Sequence, residues 1–325
     1  MNEFLEHVKK GLSQNPKALS SRFFYDATGD ELFQKIMHME EYYLPECELN
    51  IINNQSANIA KDIANTTKEL HIIELGAGDG SKTKFLLSTF RSYFDPLYYT
   101  ALDISGNILE ENKEQTQQIL PEPHVNYIAG NYFKTYPRIS EDDATRLVLF
   151  LGGNIGNFKL QDAIDFFKFI QNDLRENDYL IVAFDMAKHP RQVIKAYDDA
   201  QGITRAFNLN LLERMNRELG ADFDVSKFDH YPCYNPVTGI AASYIISLEK
   251  QTVSLPDGTK FHFKPFEAIH TEVSKKFFIS DIEHIAEKSS FPIHRIYFDG
   301  SCGYAFVLFR AGNEKAPVPR TGDPY

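Results

Sequence analysis

"HIIELGAGDGSKTKFL", residues 71 to 86, carries an apolar run into an acid, three alternating glycines and a lysine. A glycine-rich turn after a strand commonly brings backbone amides up to a ligand's phosphates. The spacing here departs from that use. Gly76, Gly78 and Gly80 form G-x-G-x-G, whereas a dinucleotide fingerprint places its third glycine one position later, where this chain has Ser81. A P-loop ends in Gly-Lys-Ser/Thr, and "SKT" lacks that glycine. Glu74, just before the turn, is a carboxylate that repels phosphate and suits a cationic or hydroxyl-bearing ligand. The stretch therefore predicts a nucleoside that carries positive charge. S-adenosylmethionine, with its sulfonium and amino group, is the commonest such ligand.

Beyond this stretch, strand-like runs alternate with helical patterns, the order expected of βαβ units and a parallel sheet. The runs lie at 69–76, 98–105, 125–131, 146–153 and 178–186. "QDAIDFFKFIQNDL" (161–174) sets Ile164, Phe167, Ile170 and Leu174 at helical spacing, so its aromatics read as the core of a crossover helix. "HRIYFDGSCGYAFVLFRA" (294–311) reads as two strands around a Gly-containing turn, matching the antiparallel closing pair of a class I methyltransferase sheet. From 197 to 279 the rhythm breaks into a helix, "ITRAFNLNLLERMNREL", and short alternating runs such as "ASYIISLEKQTVSL" with the turn "PDG" at 256–258. The predicted architecture is α/β: a Rossmann-like, cofactor-binding catalytic domain at 61–196 and 280–325. A second, substrate-binding domain is built from the amino-terminal helices (1–60) and the insertion (197–279).

A chain of 325 residues can bury a large core, and 43% hydrophobic with 24% charged residues reads as globular. The formal net charge of −11 weighs against a nucleic-acid partner, so the expected partner is a small molecule. Cys47, Cys233 and Cys302 are too few and too scattered for a disulfide framework or a zinc ribbon. His230 and Cys233 of "DHYPC" have no second pair, and no metal is expected. The amino terminus lacks the apolar core of a signal peptide and no run approaches about 18 apolar residues. The expectation is a cytoplasmic monomer with no membrane association.

Each contact of an S-adenosylmethionine site has a candidate. Gly76 and Gly78 let the backbone approach the methionine part of the cofactor without a Cβ in the way. Asp103, about 20 residues beyond the glycines at the end of the second strand, is placed to accept from both ribose hydroxyls. Gly130 and Asn131 of "AGNY" stand where an acid or amide meets the adenine amino group, and the amide oxygen can accept. Lys82, on the first turn of the following helix, is a candidate for the cofactor's carboxylate.

Four uncommon stretches remain: "SSRFFYDATGDELFQKIMHMEEYYLPECE" (20–48), "FLGGNIGNF" (150–158), "AYDDAQGITRAFNLNLLERMNRELGADFD" (196–224) and "HTEVSKKF" (270–277). Together, and in this order, they resemble the histidine-specific S-adenosylmethionine-dependent methyltransferase family, whose best-known member trimethylates the α-amine of histidine in ergothioneine biosynthesis. The resemblance runs from about residue 20 to 311 and implies the same two-domain plan. It implies that Tyr25 lies beside the reacting amine and Tyr42 lines the side-chain pocket. It sets Gly152 and Asn157 near the amino and carboxylate groups, Tyr197 on the carboxylate, and Glu272 and Ser274 on the imidazole nitrogens. Tyr25 and Asn157 are then the candidate catalytic residues. Histidine-specific members carry a methionine in the inserted strand, where this chain has Ser243, so its pocket is expected to be smaller-walled and more polar.

The residue types suit that role on their own chemistry. A neutral imidazole offers one donor and one acceptor, and a carboxylate and a hydroxyl two residues apart on one strand face can read both. Tyr25 can orient the amine, but a phenol of pKa about 10 is a poor base at neutral pH. The leading reading is an N-methyltransferase acting on the α-amine of free L-histidine, with the trimethylated betaine as the end product the resemblance implies. A second keeps the reaction and changes the substrate to a tryptophan-like or modified histidine side chain, on account of Ser243. A third is a binding protein that keeps the fold without turnover, against which the presence of Asp103, Asn157 and Glu272 weighs.

Overall fold

The computed structural model describes residues 3–136, 143–301 and 303–312, with the backbone of 320–321; Cys302 lies outside them. The chain forms two compact units. One comprises Met1–Tyr43 and Lys188–Lys276, the other Leu44–Ala187 and Phe277–Tyr325.

The larger unit is built on a sheet whose strands we label β1 (Leu70–Leu75), β2 (Leu97–Asp103), β3 (Val125–Ala129), β4 (Thr145–Phe150), β5 (Tyr179–Asp185), β6 (Ile293–Phe298) and β7 (Tyr304–Arg310). Their order is β3-β2-β1-β4-β5-β7-β6, with Arg320–Thr321 adding a short parallel edge beside β6. The first five strands are mutually parallel, and β7 runs antiparallel between β5 and β6. This is a class I methyltransferase sheet, and each strand lies within two or three residues of its predicted place. Every residue of β1 and β5 is buried, as strands covered by helices on both faces must be. The crossover helix Leu160–Gln171 supplies Ile164, Phe166, Phe167 and Ile170 to the core over β4, β5 and β7.

The smaller unit has a separate core, in which helices Glu3–Ser13, Ala27–Met37 and Ile203–Leu219 surround a four-stranded sheet. Its strand order is Lys17–Ala18, Ala268–Lys275, Ile240–Ser247, Phe228–Asn235. Asp199 caps the long helix by accepting from the N–H groups of Ile203 (2.9 Å) and Thr204 (2.8 Å). "PDG" joins strands Gln251–Ser254 and Lys260–Phe263, with Gly258 at φ +86°.

The division falls after Tyr43 instead of at residue 60 because the helix Leu44–Ala64 belongs to the sheet unit. It buries Ile51, Ile52, Ile59 and Ile63, its Asp62 accepts from Tyr297 and pairs with Arg295 at 3.1 Å, and Glu48 is drawn fully inside. Likewise the helix Pro190–Lys195 packs with the smaller unit, through Val193. Among the described residues no helix is long and apolar enough to cross a membrane, and no three His, Cys, Asp or Glu side chains are grouped to hold a metal ion.

Candidate functional site

In the sheet unit, Gly76, Gly78 and Gly80 follow β1 with φ of +73°, +56° and +71°, a conformation costly for any residue with a Cβ. The reasons differ along the loop. A Cβ at Gly80 would strike the Asn112 amide at 2.9 Å, whereas one at Gly78 would meet nothing within 4 Å, leaving open space for a ligand. The N–H groups of Gly76 and Ala77 both donate to the Leu102 carbonyl, at 2.8 and 3.0 Å. They are therefore spent inside the protein and do not form a phosphate nest.

Asp103 ends β2 with each carboxylate oxygen held by one backbone donor, Oδ2 by Gly78 N–H and Oδ1 by Ser105 N–H, both at 3.0 Å. Each oxygen keeps a lone pair for a further hydroxyl. Ile104 beside it is 80% exposed, an apolar surface that flat aromatic ligands can cover. At the end of β3, Asn131 caps the turn Tyr132–Thr135 by accepting from Phe133 N–H at 2.9 Å. Its amide oxygen keeps one lone pair, and Gly130 N–H is tied to the Asp103 carbonyl at 2.8 Å. An open glycine cradle, a pinned diol acceptor and an exposed apolar step fit an adenosyl group.

Glu74 corrects the expectation placed on it. It lies behind the loop, 3% exposed, accepting from Thr83 Oγ1 at 2.9 Å and Tyr99 OH at 2.7 Å. Asn112 continues the chain by donating to the carbonyl of Gly78 at 3.0 Å. The acid holds the loop and does not face a ligand. Burial pushes its carboxyl from 4.5 up to about 7, against two hydroxyl donors that favour the anion. Between those values the folded protein binds more proton than the unfolded chain, so stability falls as pH rises through this window, by roughly 3 kcal/mol at most. Glu74→Gln is expected to lack that loss, and urea unfolding at about pH 5 and pH 8 measures the difference.

Lys82 Nζ lies 3.0 Å from Oε2 of Glu48, which is 1% exposed. Glu48 also accepts from Gly152 N–H and Tyr304 OH, each at 3.2 Å. Nothing in the stretch "LPECE" flagged Glu48, yet it ties the lysine after the glycine loop to the turn after β4. Asn157 stands exposed at the end of that turn, in the one-turn helix Asn154–Asn157.

In the smaller unit the structure brings Tyr25, Tyr197, Ser243, Glu272 and Ser274 together. The strand Ala268–Lys275 carries a bulge between His270 and Glu272, after which Glu272 lies directly opposite Ser243 and Ser274 opposite Ala241. Ser243, fully buried, donates from Oγ to Oε2 of Glu272 at 3.4 Å. Thr271 turns into the core, where its Oγ1 donates to Asn208 at 3.1 Å. Burial raises the Glu272 carboxyl above the usual range, and the Lys276 ammonium pulls it back.

Lys276 went unremarked in the sequence because the second lysine of "SKKF" has no distinguishing pattern. It is fully buried, with Nζ 2.9 Å from both Tyr197 OH and Ser274 Oγ. Burial raises the Tyr197 phenol, which this ammonium opposes. Tyr25 packs edge-on against Phe33 and Phe207, with ring centroids 5.4 and 5.7 Å away. Although the residue is 46% exposed, desolvation and the nearby Glu272 carboxylate push its phenol well above the ordinary value. Tyr42 is half-buried against the cluster of Val193, Ala196, Tyr197 and Ala241.

A family profile described as histidine-specific methyltransferase, SAM-dependent, matches residues 4–311. A histidine N-alpha-methyltransferase of Mycolicibacterium smegmatis is 31% identical over 271 residues, covering 83% of this chain and 83% of that protein. One from Mycobacterium tuberculosis is 31% identical over 290 residues, covering 89% and 88%. An L-tryptophan methyltransferase of Psilocybe serbica is 25% identical over 332 residues, covering 94% and 92%.

Proposed function

We propose a reaction for this chain, which belongs to the histidine-specific, S-adenosylmethionine-dependent methyltransferase family: methylation of the α-amine of free L-histidine, carried through to the trimethylated betaine. The observation that carries the substrate is the row formed by Ser243, Glu272 and Ser274, an acceptor and a donor on one strand face suited to the two nitrogens of an imidazole. The smaller unit is read as the substrate domain and the sheet unit as the cofactor domain. We take the partner to be a small molecule and no nucleic acid, which the net charge of −11 supports, and the protein to be a cytoplasmic monomer.

S-adenosylmethionine, when bound, supplies a methyl group on a positively charged sulfur. Asp103 takes the ribose hydroxyls on the lone pairs left by Gly78 and Ser105, and Ile104 covers a face of the adenine. Asn131, with Gly130, takes the adenine amino group. Gly76 and Gly78 admit the methionine part, and Lys82, steadied by Glu48, uses its remaining donors on the carboxylate. Displacement at a sulfonium moves positive charge from sulfur to nitrogen and creates little of it, so positioning carries most of the catalysis.

On the substrate, Tyr197 donates to the carboxylate while Glu272 and Ser274 hold the ring. Tyr25 orients the amine. Its raised phenol stays protonated at neutral pH, so the amine's proton leaves to water and Tyr25 is not a general base. The aromatic faces of Tyr25 and its neighbours favour the quaternary ammonium that forms as methyl groups accumulate.

Mass spectrometry after incubation with S-adenosylmethionine and each free amino acid is expected to show three added methyl groups on the α-amine of histidine. A second reading, tryptophan or a similar side chain, draws on the small polar wall at Ser243 and predicts that another amino acid is preferred. Cofactor binding by calorimetry without product from any amino acid would favour a non-catalytic protein.

A further inference from the structure

We propose that Lys276 is a positioning residue that sets the direction of the hydrogen bonds in the substrate pocket, making donors of Tyr197 and Ser274 and thereby selecting a ring with one bare nitrogen. The inference rests on the histidine reading above and deepens it. An ammonium carries three donors and no acceptor, so at both 2.9 Å contacts the hydroxyl oxygens of Tyr197 and Ser274 must accept.

Each hydroxyl has one proton, and a hydroxyl that accepts from Lys276 aims that proton elsewhere. At most one of the two protons is used between the hydroxyls themselves, so at least one needs an outside acceptor. A ligand bearing a carboxylate and a bare ring nitrogen takes both. Glu272 supplies the opposite polarity: it accepts Ser243 Oγ–H at 3.4 Å and keeps lone pairs for a ligand N–H. A fully buried ammonium is a costly fixture, justified where it fixes neighbouring groups this way.

Once a ligand displaces the bond that Ser274 makes to Tyr197, the pocket offers a donor for a carboxylate, a donor for a ring nitrogen and an acceptor for a ring N–H. A neutral imidazole in a single tautomer satisfies all three. An indole has the N–H but no bare nitrogen, and would leave the Ser274 proton unpaired. Discrimination against tryptophan therefore comes from hydrogen-bond polarity and does not require a bulky wall at position 243. A pocket built to bond a polar group rejects the analogue lacking it more strongly than a pocket that only excludes by size.

The test is K276M, which keeps a linear stem and removes every donor, leaving Tyr197 and Ser274 free to satisfy each other. The KM for histidine is expected to rise at least about thirtyfold, the cost of leaving a buried group unpaired. S-adenosylhomocysteine affinity by calorimetry should hold within about twofold, since its candidate contacts lie wholly in the other unit. The histidine-over-tryptophan preference should shrink by at least about tenfold. A histidine KM within about threefold of the wild type, or affinities for histidine and cofactor that fall together, overturns the proposal.

Should K276M fail to fold, K276Q is measured in its place; it keeps two donors without the charge, and loss of the histidine preference there also overturns the proposal. If the wild type prefers another amino acid, the histidine reading fails separately. Lys276 is then judged on that substrate, whose carboxylate still needs the Tyr197 proton, and an unchanged KM sinks it. A wild type that binds no amino acid overturns both readings.

Discussion

Glu272→Ala is expected to lower kcat/KM for histidine by about 100-fold to 1000-fold while leaving S-adenosylmethionine affinity unchanged. The size follows from how many groups the change strands. The substrate's ring N–H loses its acceptor, the Ser243 hydroxyl loses its partner at 3.4 Å, and the buried Lys276 ammonium loses the carboxylate that balances it. Each unmade buried hydrogen bond costs about 1–3 kcal/mol, more where a charge is involved. Steady-state kinetics on histidine and on tryptophan measure the effect. The loss should fall mostly on KM for histidine, because in the proposed role Glu272 would grip the ring the same way before and during methyl transfer. A variant with unaltered histidine kinetics would remove Glu272 from the recognition set.

The second large effect lies in the other unit. Asp103→Ala should weaken S-adenosylmethionine binding by about 100-fold, measured by calorimetry. The two proposed charge-assisted contacts to the ribose would disappear together with the anchor that Gly78 N–H and Ser105 N–H share, so the loop would lose its shape as well. Asp103→Asn separates the two causes. It keeps one acceptor oxygen and places an amide where the second stood, and an intermediate loss is expected. Equal affinity in wild type and alanine variant would show that the ribose is held elsewhere.

The sheet was legible because strands buried on both faces must be continuous apolar runs, and β1 and β5 are. The turn glycines and the place of Asp103 at the end of β2 were legible because the conformational demand of a tight turn after a strand is local. Glu74 was misread for a reason that sequence cannot remove: the acid near a strand's end is visible, but the face it takes depends on Tyr99 and Thr83, which come from other elements. The helix Leu44–Ala64 shows an apolar stripe without saying which core receives it, which is why the boundary at 60 differs from the break after Tyr43. Lys276 gave no signal, since a buried lysine and a surface one have the same letter.

The bulge at Thr271 has an engineering consequence. With a regular strand, Ile269 would be followed on the inner face by Thr271, Val273 and Lys275. The single extra residue leaves Thr271 in the core and then turns Glu272 and Ser274 inward in place of Val273 and Lys275, so the polar residues enter as a block on the same side as Ser243. They cannot be tuned one at a time by sliding the strand; any register change removes all of them together. Position 243, across the ladder and outside the block, is the adjustable partner, and a search for variants with new amino-acid substrates is best begun there, with the bulged strand left intact.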